Sequence, residues 1–575
     1  MIWYLDNLHR SRHEREVLES LASMVNWLTP VGWRIDDSVR LVWDADIATP
    51  AGTRPISLRY PNHFPHSPPS VLPRGDARRW SGHQYGPGGE LCLEYGPDNW
   101  HPDLTGADMV CSAHRLLEGE RPTPDQTAEV ASRHATTLGQ DLRNTFSRLL
   151  VTRNLVGVLA RVPEDTMLST NTVGMYHGDS YVHVVASMTL PDGQIWREEI
   201  PGKLGFERPI AVFRWPHSAP LPSTDTLSAF RAAIAGHNML LPVVQYAVLV
   251  QGTHIRVYFL NEDGDSVFET AIIPPQPFSP RLDADHAALA DRKAALVGCG
   301  SLGSKIAVSL ARAGVGKFLL VDDDILLPDN LVRNDLDWRE VGTHKADSIA
   351  TKIQLVHPKA ECATRKHRLG GQEASGSIES LIERLGECDL IIDATADAAV
   401  FNYLSAAVAV AKKPLVWAEV FGGGFGGLVA RHRPASEPDP ATMRRVIENW
   451  CIERNQPIER TAQDYGGGPG APAIADDADV AAIAAHAARM AIDLLIPREP
   501  SLFPDSVYLI GLAKRWIFQQ PFETHPIDVG PPRPQPEEVI DQEAASDELA
   551  RIRRLFEEHG DADSSGPRGD ETTPA

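Results

Sequence analysis

The chain has 575 residues, is 42% hydrophobic and 23% charged, and carries a net charge of −22 at neutral pH. At about 150 residues per domain this length predicts three or four domains, and the acidic balance argues against general nucleic-acid binding. No apolar run approaches the ~18 residues a membrane helix needs. The six cysteines, at 92, 111, 299, 362, 388 and 451, form no CxxC pair, which argues against a structural zinc site or a disulfide framework and points to the cytosol. The opening MIWYLDNLHRSRHERE turns charged too early for a secretory signal. Expected partners are proteins and small molecules, with no nucleic acid and no membrane.

Residues 1–150 read as an α+β region. His9 to Trp27 has helical apolar spacing, and Trp33–Ile35, Ser38–Ile47 and Arg54–Arg59 read as strands. Phe64-Pro65-His66-Ser67-Pro68-Pro69-Ser70-Val71 is too proline-rich for a central strand and predicts a stiff loop. Gly88-Gly89-Glu90-Leu91-Cys92-Leu93 follows, then Trp100-His101-Pro102 and a helix from Gly106 to about Leu117. Cys92 sits in a glycine-rich loop, where an accessible thiolate can take an acyl group and pass it to an amine; the plain alternative is an inert packing cysteine.

This order resembles the ubiquitin-conjugating fold: helix, meander, FPxxPP loop, active-site cysteine, Trp-x-Pro and helix. Phe64–Pro69, Gly89–Leu93 and Trp100–Pro102 carry the likeness, which implies that Cys92 is the transfer nucleophile. Where the family places His-Pro-Asn shortly before the cysteine, this chain has His83-Gln84-Tyr85, so another group must do the work of the missing asparagine. His83 is expected to orient the loop, to act as a base or, equally, only to pack within the loop.

Residues 151–285 are rich in strand signals: Ser180–Met188, Gln194–Ile200, Val244–Val250, His254–Leu260 and Ser266–Ile273. Ser223–Ile234 reads as a helix, and Pro274 to Pro280 as a stiff exit linker. This region carries no nucleophile, metal or phosphate motif and reads as a β-rich spacer.

Residues 286–530 read as a Rossmann-like doubly wound domain. The short strand Ala294–Val297 runs into Gly298-x-Gly300-x-x-Gly303 and a helical pattern from Lys305 to Ala313. A second strand, Phe318–Val321, ends in Asp322-Asp323-Asp324. Strand, glycine turn, helix, strand and terminal acid make a nucleotide-binding unit: the glycines admit a phosphate to a helix N-terminus, and the acid can bind a ribose. Adenylyl transfer also needs cations around spreading negative charge and a carboxylate for Mg²⁺. Arg333 and Lys345 are the candidate cations, and Asp324 and Asp397 the candidate carboxylates. Cys299, Cys362 and Cys388 read as packing residues. From 531 to 575 the chain is expected to be a charged tail, with a helix over Glu543–Glu558 and disorder beyond Asp561.

The C-terminal pattern resembles the ThiF/MoeB-type adenylation domain of ubiquitin-activating enzymes and their bacterial relatives. The likeness implies that Gly298, Gly300 and Gly303 form the phosphate loop and that Asp322 holds the ribose. It further implies that Asn330 and Arg333 contact phosphates, and that Lys345 stabilises charge at the α-phosphate of ATP. Asp-Ala394-Thr395-Ala396-Asp397 departs from the family's Asp-x-Thr-Asp, because Ala396 stands at the metal-binding position and Asp397 one residue later. Relatives with a relay cysteine carry it on the crossover after the glycine-rich stretch Gly422–Gly427; here that segment, about 435–475, contains Cys451 alone.

Together the two ends resemble bacterial fusions of conjugating and activating domains, notably the CD-NTase-associated ligases of CBASS anti-phage operons. That implies an ATP- and Mg²⁺-dependent ligase that adenylates a partner's C-terminal carboxylate and transfers it through cysteine thioesters to an amine. The carboxylate would belong to a CD-NTase or a ubiquitin-like protein, and a homodimer is expected. A sulfur-carrier adenylating enzyme of cofactor biosynthesis, an NAD-dependent oxidoreductase and a degenerate binding module remain as alternatives.

Overall fold

The computed structural model describes residues 2–50, 52–76, 80–81, 83–85, 88–119, 138–143, 145–201, 204–275, 282–369, 375–454, 474–532 and 542–563. The chain divides into two compact units, Met1–Phe146 and Ser147–Ala575.

The first unit opens with the helix Leu8–Met24, capped by the Asn7 side chain, which accepts from Arg10 N at 3.0 Å. An antiparallel meander follows in the order β1 (Leu28–Ile35), β2 (Leu41–Thr49), β3 (Gly52–Arg59), β4 (Ser70–Pro73). Paired residues such as Trp43 with Leu58 and Ala45 with Ile56 form its core, against Met109, Val110, Ala113 and Leu116 of the helix Gly106–Gly119. Glu14 is fully buried, and its carboxylate accepts from Arg10 Nε at 2.9 Å, Tyr60 Oη at 2.8 Å and Gly106 N at 2.7 Å. A buried charge persists only when so satisfied, and here it ties both helices to the end of β3. The loop expected over Phe64–Val71 is shorter than that, because β4 begins at Ser70. Pairing with β3 alone, β4 is an edge strand that tolerates its terminal Pro73.

The second unit begins with a barrel. Its strands are β5 (Ser147–Leu150), β6 (Thr166–His177), β7 (Ser180–Thr189), β8 (Ile195–Arg197), β9 (Phe206–Trp215), β10 (Tyr246–Gln251), β11 (His254–Asn261) and β12 (Ser266–Ile273). They pair in the order β5-β12-β11-β10-β9-β6-β7-β8, and β5 also pairs with β7, which closes the ring. The sequence reading missed β6 and β9, whose alternation is blurred by Thr170, Asn171 and Thr172 and by Arg208 and Pro209. The helix expected over Ser223–Ile234 is Leu227–Gly236, a second helix runs over Arg153–Leu159, and of Gln194–Ile200 only Ile195–Arg197 is strand.

The remaining strands are β13 (Lys293–Val297), β14 (Lys317–Val321), β15 (Glu361–Arg365), β16 (Leu390–Asp393), β17 (Leu415–Val420), β18 (Gly426–His432), β19 (Val507–Gly511) and β20 (Thr524–Pro526). Their order is β15-β14-β13-β16-β17-β18-β19-β20, with β13 to β17 parallel and the last three antiparallel. The central parallel strands β13, β14 and β16 are largely apolar on both faces because helices cover both. Ser301–Ala313, Lys345–Val356 and Asp477–Leu495 pack on one face, and Ser375–Gly386, Ala398–Ala411 and Pro440–Glu453 on the other. The chain turns one way from β13 to β14 and the other way to reach β16, so a crevice opens at the carboxyl ends of β13 and β16. The helix Gln542–Asp563 follows in the tail; the disorder expected beyond Asp561 falls largely outside the described residues. Among those residues no helix is long and apolar enough to cross a membrane.

Candidate functional site

The crevice is a cleft of about 690 Å³ at the carboxyl ends of the parallel strands. Gly298, Gly300, Asp322, Asp324, Arg333, Lys345 and Asp397 all line it. Gly298 has φ +90°, and a Cβ on Gly303 would lie 1.8 Å from Gly298 O, so the turn from β13 into the helix Ser301–Ala313 closes only with these glycines. Gly303 therefore shapes the turn from behind. A Cβ on Gly300 would meet nothing within 4 Å, which leaves the helix N-terminus open to the cleft as a phosphate requires.

Asp322 lines the cleft and braces the glycine turn. Its Oδ2 accepts from Cys299 N at 2.6 Å and its Oδ1 from Asp324 N at 2.9 Å, which braces the glycine turn against the end of β14. Burial pushes its carboxyl above the usual range, against the pull of those backbone donors and Lys345. Cys299 is fully buried, and burial raises its thiol well above the ordinary value. Lys345, the first residue of its helix, is 8% exposed, and its ammonium pairs with the Asp324 carboxylate while its backbone N donates to Asp324 O at 3.0 Å. Arg333 Nη1 donates to Ala475 O at 3.5 Å, across to the start of the helix Asp477–Leu495.

Asn330 and Asp397 each have local partners in the structure. Asn330 is not among the cleft's lining residues; its Oδ1 accepts from Leu327 N at 3.0 Å and closes the short turn Pro328–Val332. The asparagine that touches the glycine turn is Asn334, 7% exposed, which donates from Nδ2 to Cys299 O at 3.2 Å. Asp397 does line the cleft, but its Oδ1 caps the helix Ala398–Ala411 by accepting from Ala399 N at 2.7 Å and Val400 N at 3.3 Å. Ala396 before it has φ +55°, a left-handed residue that sets where the Asp397 side chain emerges. The sequence reading also missed His367, Arg368 and Glu419, all lining the cleft. Their signal was positional: each stands at or just past the carboxyl end of β15 or β17.

Cys92 lies in the first unit, between the buried residues Leu91 and Leu93, and is itself only 4% exposed. The expected open thiol is thus corrected to a nearly covered one. Its backbone N donates to His83 O at 2.8 Å, so His83 orients the loop through its main chain. Burial pushes the neighbouring Glu90 carboxyl up, with Arg59 pulling the other way. Cys111 is half-buried in the helix Gly106–Gly119, and burial raises its thiol.

Cys451, for which the sequence leaves a relay role and a packing role equally open, is fully buried on the helix Pro440–Glu453, in the same core as Met443, Ile447 and Phe401. Burial pushes its thiol up to about 11, the reverse of what a thiolate donor needs. The stretch near Gly466–Pro472, where relatives place that nucleophile, lies outside the described residues. Cys362 and Cys388 are raised to about 11 in the same way, in keeping with packing.

The C-terminal domain is Rossmann-like, and the same chain carries an N-terminal α+β region and a barrel-containing middle region. Residues 278–463 match the ThiF family model. The chain is similar to the ATP-dependent ubiquitin transferase-like protein Cap2 of Pseudomonas aeruginosa, 32% identical over 120 residues, which cover 20% of each chain. It is also 30% identical over 140 residues to the sulfur carrier protein ThiS adenylyltransferase of Escherichia coli, covering 24% of this chain and 52% of the relative. Among solved structures, E. coli MccB with AMPCPP and MccA aligns with a TM-score of 0.34 at 16% identity, over 44% of this chain and 67% of that one. The matches span 20 to 28% of the length of the first curated relatives.

Proposed function

We propose that this protein is an ATP-dependent ligase that activates the C-terminal carboxylate of a partner protein and passes it through Cys92 to an amine, as the resemblance to anti-phage ligases suggests. The observation that carries the reading is the convergence of the open helix N-terminus at Gly300, the Asp322 brace and the cations Arg333 and Lys345 on one cleft. A hydride-transfer site needs no such cations at the phosphates, which weighs against an oxidoreductase.

In the first step the partner's carboxylate oxygen attacks the α-phosphorus of ATP, the bond to the β-phosphate oxygen breaks and pyrophosphate leaves. The amides at the start of the helix Ser301–Ala313 hold phosphate oxygens, and Arg333 and Lys345 offset the charge that grows on them. Asp324 holds the Lys345 ammonium at the cleft. The carboxylates suit a hard divalent cation: Asp397 leaves Oδ2 without a protein hydrogen-bond partner among the described residues, and Asp324 lines the same cleft. When bound, Mg²⁺ would neutralise phosphate charge there. In the second step a thiolate attacks the acyl carbon and AMP leaves, and in the third an amine displaces the thiol. Cys92 is assigned the thiolate, and Cys451 a packing role.

The test combines purified protein, ATP, Mg²⁺ and candidate partners, among them a CD-NTase and a ubiquitin-like protein. Pyrophosphate release and a DTT-sensitive adduct are expected. Cys92→Ser abolishes the adduct, whereas Cys451→Ser leaves it in place. Pyrophosphate release without an adduct would instead favour the sulfur-carrier type of adenylating enzyme, and loss of the adduct in Cys451→Ser but not in Cys92→Ser would reverse the assignment.

A further inference from the structure

We infer that Gln84 is the positioning residue of the Cys92 loop and takes over the loop-bracing work of the asparagine this chain lacks; the inference rests on Cys92 being the acceptor thiol. Two short runs face each other here. Tyr85 N donates to Glu90 O at 2.9 Å, Cys92 N donates to His83 O at 2.8 Å, and Gln84 pairs with Leu91 as an antiparallel bridge. Leu91 N in turn donates to Val71 O at 2.9 Å, which fastens the cysteine-bearing run to β4.

Gln84 is fully buried at the centre of this arrangement. Its Oε1 accepts from Trp80 N at 2.8 Å, and its Nε2 donates to Gly89 O at 2.9 Å. One side-chain amide thereby fixes the chain on both flanks: the segment that leads into the loop at Trp80, and the glycine three residues before Cys92. Trp80 is anchored as well, since its indole Nε1 donates to Asp76 Oδ2 at 2.9 Å. A buried amide that meets main-chain partners at both ends is costly to leave half-satisfied, so the placement of Trp80 and of Gly89 to Cys92 depends on it. An asparagine is one methylene shorter and cannot span the same two partners from this position.

The experiment compares the full-length protein with Gln84→Met, which keeps the volume but neither hydrogen bond, and Gln84→Glu, which keeps the acceptor for Trp80 N. The first readout needs no ATP: the pH–rate profile of Cys92 alkylation by iodoacetamide, followed by peptide mapping. The second is the rate of adduct formation on Cys92 beside pyrophosphate release. Gln84→Met is expected to shift the alkylation profile and slow the adduct by about 10²-fold, the scale of a 1 Å misplacement, with pyrophosphate release unchanged; Gln84→Glu recovers part of the rate. An alkylation profile in Gln84→Met that superimposes on the parent overturns the inference, as does a shift matched by loss of the folded state in thermal melts. If the parent protein forms no Cys92 adduct while Gln84→Met still shifts alkylation, the ligase reading fails and the positioning role stands.

Discussion

Lys345 is a charged side chain held almost out of solvent, and the Asp324 carboxylate beside it is what makes that burial tolerable. At the scale of single residues His183 is another buried polar group, without such a partner among the described residues. It is fully buried on β7 beside Tyr181 and Tyr246, and neither ring nitrogen has a hydrogen-bond partner among the described residues. Burial lowers its pKa from 6.5 to about 4. In the unfolded chain the imidazole takes a proton below about pH 6.5, while in the folded barrel it stays neutral down to about pH 4. Stability from the neutral ring is therefore complete above the unfolded value and drains away as pH falls toward the folded one. The expected loss is about 2 kcal/mol between pH 7 and pH 5. Denaturant titrations at the two pH values measure it, and His183→Phe should flatten the difference; an unchanged slope in that variant would refute the assignment. No sequence pattern marked His183, because orphaned ring nitrogens are a property of its surroundings.

At the scale of elements, the turn from β13 into the helix Ser301–Ala313 shows two glycines with opposite duties. Gly303→Ala would drive a Cβ into Gly298 O, a backbone atom that cannot step aside. That variant should lower stability by about 1–3 kcal/mol, as overpacking does, and lose pyrophosphate release with it. Gly300→Ala has open space around its Cβ, so it should melt like the parent yet bind ATP poorly, because the methyl group occupies the phosphate approach. Thermal melts beside nucleotide titrations separate the two, and equal melting losses in both variants would contradict the distinction. This turn was legible in the chain: the glycine spacing, the apolar strand before it and the acids after β14 are local signals. The edge strand β4 and the barrel strands β6 and β9 were not, since prolines and paired threonines mask their alternation and only long-range pairing selects the strand conformation.

At the scale of the whole molecule, the Cys92 loop belongs to one compact unit and the cleft to the other. Each unit has its own core, which predicts that they can be expressed apart. Residues 147–575 alone should release pyrophosphate from ATP with a partner carboxylate. The Cys92 adduct should form only when residues 1–146 are added back, at a rate that rises with their concentration. Failure of the 147–575 fragment to release pyrophosphate, when the intact chain does, would show that adenylation needs the first unit.

The sequence by itself determined the adenylation domain's nucleotide half, because glycine spacing, strand-end acids and the cations Arg333 and Lys345 act through local geometry that travels with the chain. It also marked Cys92 and the element order around it. Tertiary structure decided the rest. It set Asn334, which no sequence signal marked, against Cys299 O of the glycine turn, because two residues on one loop are told apart only by which way the turn faces. It made Cys451 part of a core, covered Cys92 and set Gln84 beneath its loop. Burial and hydrogen-bond partners arise from segments far apart in the chain, and no spacing along the sequence encodes them.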